Sequence, residues 1–130
     1  MARVLVVEDN VILRYTLALW LREVGHEVLE AATADEALAV LKSIVSVDIV
    51  VTDVEMPGSM NGLQLTAHVR AGAPSLPVII VSGTQIPQNY AYASAFFPKP
   101  YDLDQIAARI NALVPPILND PPLQKKANRP

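Results

Sequence analysis

Five side chains that can bind a cation or a phosphoryl group follow short apolar runs in the sequence. In chain order they are Glu8, Asp9, Asp53, Ser82 and Lys99. Apolar runs of this length, bounded by polar or turn residues, predict buried strands rather than helices. In an open parallel sheet, ligands bind at the carboxyl ends of the strands. We therefore expect these five side chains to converge at one edge of a sheet.

The charges of this cluster indicate its chemistry. Carboxylates at Glu8, Asp9 and Asp53 would repel one another, and one or more would take up a proton unless a cation were bound. Carboxylate oxygens suit a hard divalent cation, Mg²⁺ or alternatively Mn²⁺. The hydroxyl of Ser82 and the ammonium of Lys99 suit phosphoryl oxygens. The cluster therefore predicts a metal-assisted phosphoryl site in which Asp53 is the candidate nucleophile.

Alternating strand and helix patterns supply the scaffold for this site. The predicted strands are residues 3–7, 27–31, 48–52, 76–81 and 95–97. The predicted helices are residues 10–24, 33–45, 61–70 and 102–113. Strands that are apolar throughout and are separated by helices indicate a parallel sheet covered on both faces. We predict an α/β fold built on a doubly wound five-stranded parallel sheet.

Composition narrows the class of protein. The 130 residues predict one domain over residues 1–114, and a flexible tail over residues 115–130, which hold five of the eleven prolines. A net charge of −3 gives no support for a nucleic-acid partner. No apolar run approaches the about 20 residues that span a membrane. The absence of cysteine excludes disulfides and thiolate metal sites, and fits the cytoplasmic location that we predict.

Five segments around the predicted strand ends carry a joint motif. They are VLVVEDN at 4–10, DIVVTDVEMPG at 48–58, NGLQL at 61–65, PVIIVSG at 77–83 and PKPYDLDQI at 98–106. This pattern of an acidic pair, an acidic acceptor, a Ser and a Lys-Pro resembles the receiver domains of response regulators in two-component signalling, the CheY-like family. The resemblance covers residues 3 to about 114 and implies the flavodoxin-like strand order 2-1-3-4-5.

The resemblance implies a phosphoacceptor beside a metal ion. Asp53 would accept a phosphoryl group from a histidine kinase or a histidine phosphotransfer protein. Asp9 would ligate Mg²⁺ directly, and Glu8 would act mostly through water. Asp53 and the backbone carbonyl of Glu55 would supply the other protein ligands.

The resemblance also implies a switch. Lys99 would pair with Asp53 and then with its phosphoryl group, and would precede a cis peptide bond to Pro100. Ser82 would hydrogen-bond the phosphoryl group, and Phe96 would change rotamer with it. From the residues alone, Ser82 also fits a simple turn, and Phe96 also fits simple core packing.

Two features bear on the partners of this chain. The segment between Ser82 and Lys99 is shorter than in most receivers by more than a helical turn, so we predict that the helix between the fourth and fifth strands is short or absent. The first predicted helix carries a second apolar stripe of Ile12, Tyr15 and Leu19. This stripe is either local packing and singly exposed residues, or a docking patch for a helical phosphodonor or a homodimer contact.

The functional prediction is a stand-alone receiver that signals by phosphorylation-dependent protein contacts, as a monomer or weak homodimer. It would catalyse its own phosphorylation and dephosphorylation without being a turnover enzyme. One alternative is a pseudo-receiver that is never phosphorylated. Another is a Mg²⁺ phosphatase of similar fold, which would need an Asp where this chain has Glu55. Neither His26 nor His68 has an acidic partner in the pattern, and both are predicted to lie at the surface.

Overall fold

The computed structural model describes residues 1–83 and 90–115. Helices and strands alternate through most of this part of the chain. They are β1 (Arg3–Val7), α1 (Val11–Glu23), β2 (Glu27–Ala31), α2 (Ala34–Lys42), β3 (Ile49–Asp53), α3 (Gly62–Gly72), β4 (Val78–Ser82), β5 (Ala95–Pro98) and α4 (Leu103–Leu113). The predicted tail from residue 116 onward lies outside the described residues.

The five strands form one parallel sheet in the order β2-β1-β3-β4-β5. The predicted doubly wound fold and its strand order are therefore confirmed. Register pairs Val7 with Thr52 across β1 and β3, and Asp53 with Val81 across β3 and β4. The residues that follow β1, and the last residues of β3 and β4, therefore share one edge of the sheet.

Apolar side chains cover both faces of the sheet, as continuous apolar strands require. Val4 and Val6 of β1 pack on the face that also buries residues of α1 and α4. Leu5 and Val7, the alternate residues of the same strand, pack on the face that buries residues of α2 and α3. This two-sided burial fixes the strands, so that the polar residues at their carboxyl ends are held on a rigid scaffold.

Side-chain caps set the starts of the helices. Asn10, Thr33, Asn61 and Asp102 are the N-caps of α1, α2, α3 and α4, and each side chain accepts a backbone N–H of the first helical turn. For α3 the capping box is complete, because the side chain of Gln64 also accepts the backbone N–H of Asn61. The caps at Asn10 and Asn61 matter for function, because both follow loops that leave the carboxyl ends of strands.

The connection between β4 and β5 contains no helix within its described part. Residues 90–94 form a turn, in which the Ala93 N–H donates to the Tyr90 carbonyl at 3.2 Å. Residues 84–89 of this connection lie outside the described residues. The turn agrees with the prediction that the helix at this place is short or absent.

Within the described ranges, no helix has the length and apolar character needed to cross a bilayer.

His26 is buried, so the prediction that it lies at the surface was wrong. It retains only 8% of its exposed area, and its Nδ1 accepts the Ala2 backbone N–H at 3.0 Å. Burial lowers the pKa of His26, and the N-terminal ammonium lowers it further. The His26 imidazole therefore binds a proton less readily in the folded chain than in the unfolded chain, where it is protonated below about pH 6.5.

We expect His26 to make the protein less stable as the pH falls below about 6.5, because protonation then favours the unfolded state. Urea denaturation at pH 7.5 and pH 5.5 measures the change in the free energy of unfolding. His26→Gln should reduce this change, whereas His68→Gln, which alters an exposed side chain, should not. An equal acid sensitivity in the wild type and His26→Gln would contradict the expectation.

Candidate functional site

Three carboxylates meet at the carboxyl edge of the sheet. One oxygen each from Glu8, Asp9 and Asp53 lies within 4.8 Å of the others. Glu8 and Asp53 are buried, with 5% and 6% of their areas exposed, whereas Asp9 is exposed. The structure therefore brings together the three acidic residues that the sequence placed at the ends of the first and third strands, with Asp9 open to solvent.

Lys99 joins two of these carboxylates. Its Nζ lies 2.9 Å from Oε1 of Glu8 and 3.3 Å from Oδ2 of Asp53. The backbone N–H of Lys99 donates to the Ser82 carbonyl at 2.8 Å, which fixes the end of β5 against the end of β4. The peptide bond from Lys99 to Pro100 is cis, as the resemblance implied.

Glu8 is held by contacts on its main chain as well as its carboxylate. Its N–H donates to the Ala31 carbonyl, and its Oε2 accepts the Asn10 N–H, both at 3.0 Å. Its own carbonyl accepts Nη1 of Arg14 at 3.0 Å, while Nε of Arg14 pairs with Glu30 at 3.2 Å. Arg14 is part of the support of the site, and sequence reasoning missed it because no motif marks a helix residue whose target is a backbone carbonyl.

Asp53 ends β3 and is fixed by its immediate neighbours. Its Oδ1 accepts the Val54 N–H at 2.8 Å, and its carbonyl accepts the Thr52 hydroxyl at 2.9 Å. The Gly62 N–H donates to the Val54 carbonyl at 2.7 Å. A Cβ at Gly62 would overlap the carbonyl oxygen of Asp53. The start of α3 is therefore packed directly against the backbone of the acidic residue.

Burial and charge act in opposite directions at this site. Burial raises the pKa of Asp53, and the ammonium of Lys99 opposes that rise. Burial also raises the pKa of Glu8, against its hydrogen bond from Lys99. For Lys99 itself, burial disfavours the charge, but its contacts with Glu8 and Asp53 outweigh burial and raise its pKa. The pocket carries more negative charge than one ammonium neutralises.

This donor set fits a hard divalent cation. The three clustered oxygens all come from carboxylates, which suit Mg²⁺ or Mn²⁺. Glu55 lies in the loop after β3 with its side chain exposed, where the resemblance assigns its carbonyl to the metal. A bound divalent cation would neutralise the carboxylates and polarise phosphoryl oxygens.

The two predicted switch residues lie on β4, which neighbours the strand of Asp53, and on β5, the strand beyond it. Ser82 is the last residue of β4 and is only 1% exposed, so its hydroxyl lies below the surface of the site. Phe96 of β5 is partly buried and packs against the buried apolar cluster on the α2–α3 face of the sheet, as Tyr90, Met60 and Leu63 also do. Core packing by Phe96 is therefore observed.

Comparison with known proteins identifies the family. The model of the response regulator receiver domain matches residues 4–111. The transcriptional regulatory protein PhoP of Escherichia coli K12 is 33% identical over 117 residues, covering 86% of this chain and 52% of PhoP. The chain thus spans about half the length of that curated relative.

Solved structures agree with this result. The response regulator TrrA of Thermotoga maritima, determined in complex with Mg²⁺-BeF, has a TM-score of 0.80 at 28% identity, covering 87% of this chain and 99% of TrrA. The receiver domain of the hybrid histidine kinase CckA has a TM-score of 0.74 at 35% identity, covering 86% of this chain and 98% of that domain. The chain belongs to the response regulator receiver family of two-component signalling.

Proposed function

We propose that Asp53 accepts a phosphoryl group from a phosphohistidine protein and that the phosphorylated chain signals through protein contacts. The observation that carries this proposal is the position of Asp53, buried at a strand end within 3.3 Å of Lys99 and beside two further carboxylates. The Mg²⁺-BeF complex of TrrA supports the same chemistry, because that relative binds the metal with the fluoride.

The transfer is a direct displacement at phosphorus. A carboxylate oxygen of Asp53 forms the new O–P bond while the P–N bond to the donor imidazole breaks, and that bond's electron pair stays on the imidazole nitrogen. Lys99 is placed to hold the negative charge of the transferred group, because its ammonium already contacts Asp53. Mg²⁺, held by Asp9, Asp53, the Glu55 carbonyl and, through water, Glu8, would neutralise the remaining charge.

A phosphoryl group on Asp53 would then act on Ser82 and Phe96. Ser82 ends the strand beside β3 and has a hydroxyl that can donate to a phosphoryl oxygen. Phe96 lies on the next strand, three residues before Lys99. A change at these two residues would alter the surface near β5 without any turnover of a substrate.

Acetyl phosphate with Mg²⁺ tests this function. The proposal expects one base-labile, acid-stable phosphoryl group per chain, detected by mass spectrometry at neutral pH. Absence of labelling, under conditions in which an active receiver labels, would favour the pseudo-receiver. Release of many phosphates per chain from a phosphoester would instead favour the phosphatase.

The exposed stripe on α1 is the proposed docking site for the phosphodonor. Ile12 is 72% exposed, Tyr15 58% and Leu19 42%, so local packing does not account for them. α1 begins two residues after Asp9, and the stripe therefore starts beside the site. An apolar face at this place suits a helix that brings its phosphohistidine to Asp53.

Ile12→Asp should slow transfer from a phosphorylated histidine phosphotransfer protein by at least about tenfold, because a buried charge would oppose docking. Labelling by acetyl phosphate, which needs no docking surface, should stay at the wild-type rate. Ile44→Asp is the matched control, because Ile44 is fully exposed and lies in the loop after α2. Equal slowing by both variants, or by neither, would reject the docking assignment; loss of a dimer in Ile12→Asp would assign the stripe to self-association.

A further inference from the structure

Residues 90–94, here called the strap, are fastened to α3 at two places. The Tyr90 hydroxyl donates to the Leu63 carbonyl at 2.6 Å, in the first turn of α3. The Tyr92 carbonyl accepts Nη2 of Arg70 at 2.7 Å, in the last turn of α3. The strap therefore contacts α3 near both ends of that helix.

Arg70 also ties the strap to the start of β4. Its Nη1 donates to the carbonyls of Pro74 and Leu76 at 2.8 and 2.7 Å, in the segment that leads from α3 into that strand. Ser94 bonds Val78 in both directions, through its N–H and its hydroxyl oxygen. This end of the strap is thus fixed by several contacts, and the Tyr90 end is held by the Tyr90 hydroxyl and by the packing of its ring.

A short series of contacts leads from Asp53 to Tyr90. The Asp53 carbonyl packs against Gly62 so closely that a Cβ there would overlap it. The next residue, Leu63, supplies the carbonyl that accepts the Tyr90 hydroxyl. The Tyr90 ring packs in the same apolar cluster as Phe96. Movement at Asp53 would therefore reach Tyr90 through Gly62 and Leu63, and a change in the packing of Phe96 would alter the apolar cluster against which the Tyr90 ring packs.

We infer that the Tyr90 hydroxyl couples the strap to the phosphoacceptor site, and that occupation of the site loosens the strap. This inference rests on the proposed function. The Tyr90–Leu63 hydrogen bond joins the strap to the first turn of α3, and that turn cannot move relative to Asp53 without disturbing a tightly packed contact. A phosphoryl group that shifts this turn would weaken the bond. Because coupling is reciprocal, loss of the bond should favour occupation of the site.

Hydrogen exchange and affinity for beryllium fluoride test the coupling. In the wild type, Mg²⁺ with BeF₃⁻ should speed exchange of the Ala93 amide, which donates to the Tyr90 carbonyl, by at least about fivefold. Tyr90→Phe, which removes the hydroxyl and keeps the ring, should abolish most of this difference and tighten BeF₃⁻ binding several-fold. Tyr92→Phe is the control, because Tyr92 is 46% exposed, and it should behave as the wild type.

The outcomes separate the two proposals. Failure of the wild type to bind BeF₃⁻ with Mg²⁺ would overturn the proposed function, and the coupling with it. Binding without any change in the exchange of the Ala93 amide would overturn the coupling alone. So would a Tyr90→Phe variant that binds BeF₃⁻ as the wild type does, or more weakly. Thermal melting of both Phe variants checks that the fold is retained.

Discussion

Asp53→Asn is expected to lower the labelling by acetyl phosphate by orders of magnitude while the fold is retained. The amide has the shape of the carboxylate but is not a nucleophile toward phosphorus, so the O–P bond cannot form. The substitution also removes one of three clustered negative charges, and Lys99 keeps its partner Glu8 at 2.9 Å. The site should therefore lose its reaction without leaving a buried ammonium unpaired.

The control for this prediction is a carboxylate just before the start of β3, the strand that Asp53 ends. Asp48 precedes β3, and its carboxylate accepts the Arg3 backbone N–H at 2.8 Å. Asp48→Asn keeps an oxygen that can accept this bond, and should label as the wild type does. Circular dichroism and urea denaturation establish that both variants are folded. Equal labelling of Asp53→Asn and wild type would show that the phosphoacceptor is another residue.

Much of this site was predictable because strand ends are marked in the sequence. An apolar run that forms a strand buried on both faces ends where a polar residue follows. Because all strands of a parallel sheet run in the same direction, their carboxyl ends lie at the same edge of the sheet. That reasoning located Glu8, Asp9, Asp53, Ser82 and Lys99 before any contact was known. The strand order itself required the family resemblance, since periodicity does not state which strands are neighbours.

The predicted boundaries failed where single residues override periodicity. The second helix was predicted to reach residue 45 but ends at Lys42, because the Ser43 hydroxyl donates to the Val40 carbonyl at 2.6 Å and accepts the Val45 N–H. The fourth strand was predicted from residue 76 but begins at Val78, directly after Pro77, which has no N–H to donate to a sheet.

Contacts between distant segments were not predictable from one sequence. Arg14 reaches the Glu8 carbonyl, and Tyr90 reaches the Leu63 carbonyl, 27 positions away along the chain. Both targets are main-chain oxygens, which every residue carries, so the sequence marks no partner. His26 was placed at the surface for a related reason, since its partner is the Ala2 backbone N–H. In all three cases the tertiary fold creates the contact that defines the role of the side chain.

The glycine at position 62 shows how closely the fold and the site depend on each other. Its N–H donates to the Val54 carbonyl, and its Cα lies so close to the Asp53 carbonyl oxygen that a Cβ would overlap that oxygen. Glycine is therefore required here for close approach of two backbones. The atoms that a Cβ would overlap belong to the main chain of Asp53 and Val54, at the end of β3, where Asp53 is paired with Val81 of β4.

Gly62→Ala is accordingly expected to destabilise the protein by about 3 kcal/mol or more, near the upper end of the cost of overpacking. It should also lower labelling of the molecules that remain folded, because relief of the overlap must move either the start of α3 or the Asp53 backbone. Urea denaturation gives the free energy of unfolding. Acetyl phosphate labelling, measured at a temperature where the variant is folded, gives the effect on the site.

Gly72→Ala provides the matched control for Gly62→Ala. Gly72 is the last residue of α3, and nothing lies within 4 Å of a Cβ built there. Because alanine favours helix by about 1 kcal/mol over glycine, this variant should be neutral or slightly more stable, and should label normally. If Gly62→Ala matched Gly72→Ala in both measurements, α3 would not be packed on Asp53 as described. The contact route from the phosphoacceptor through Leu63 to Tyr90 would then lose its first step.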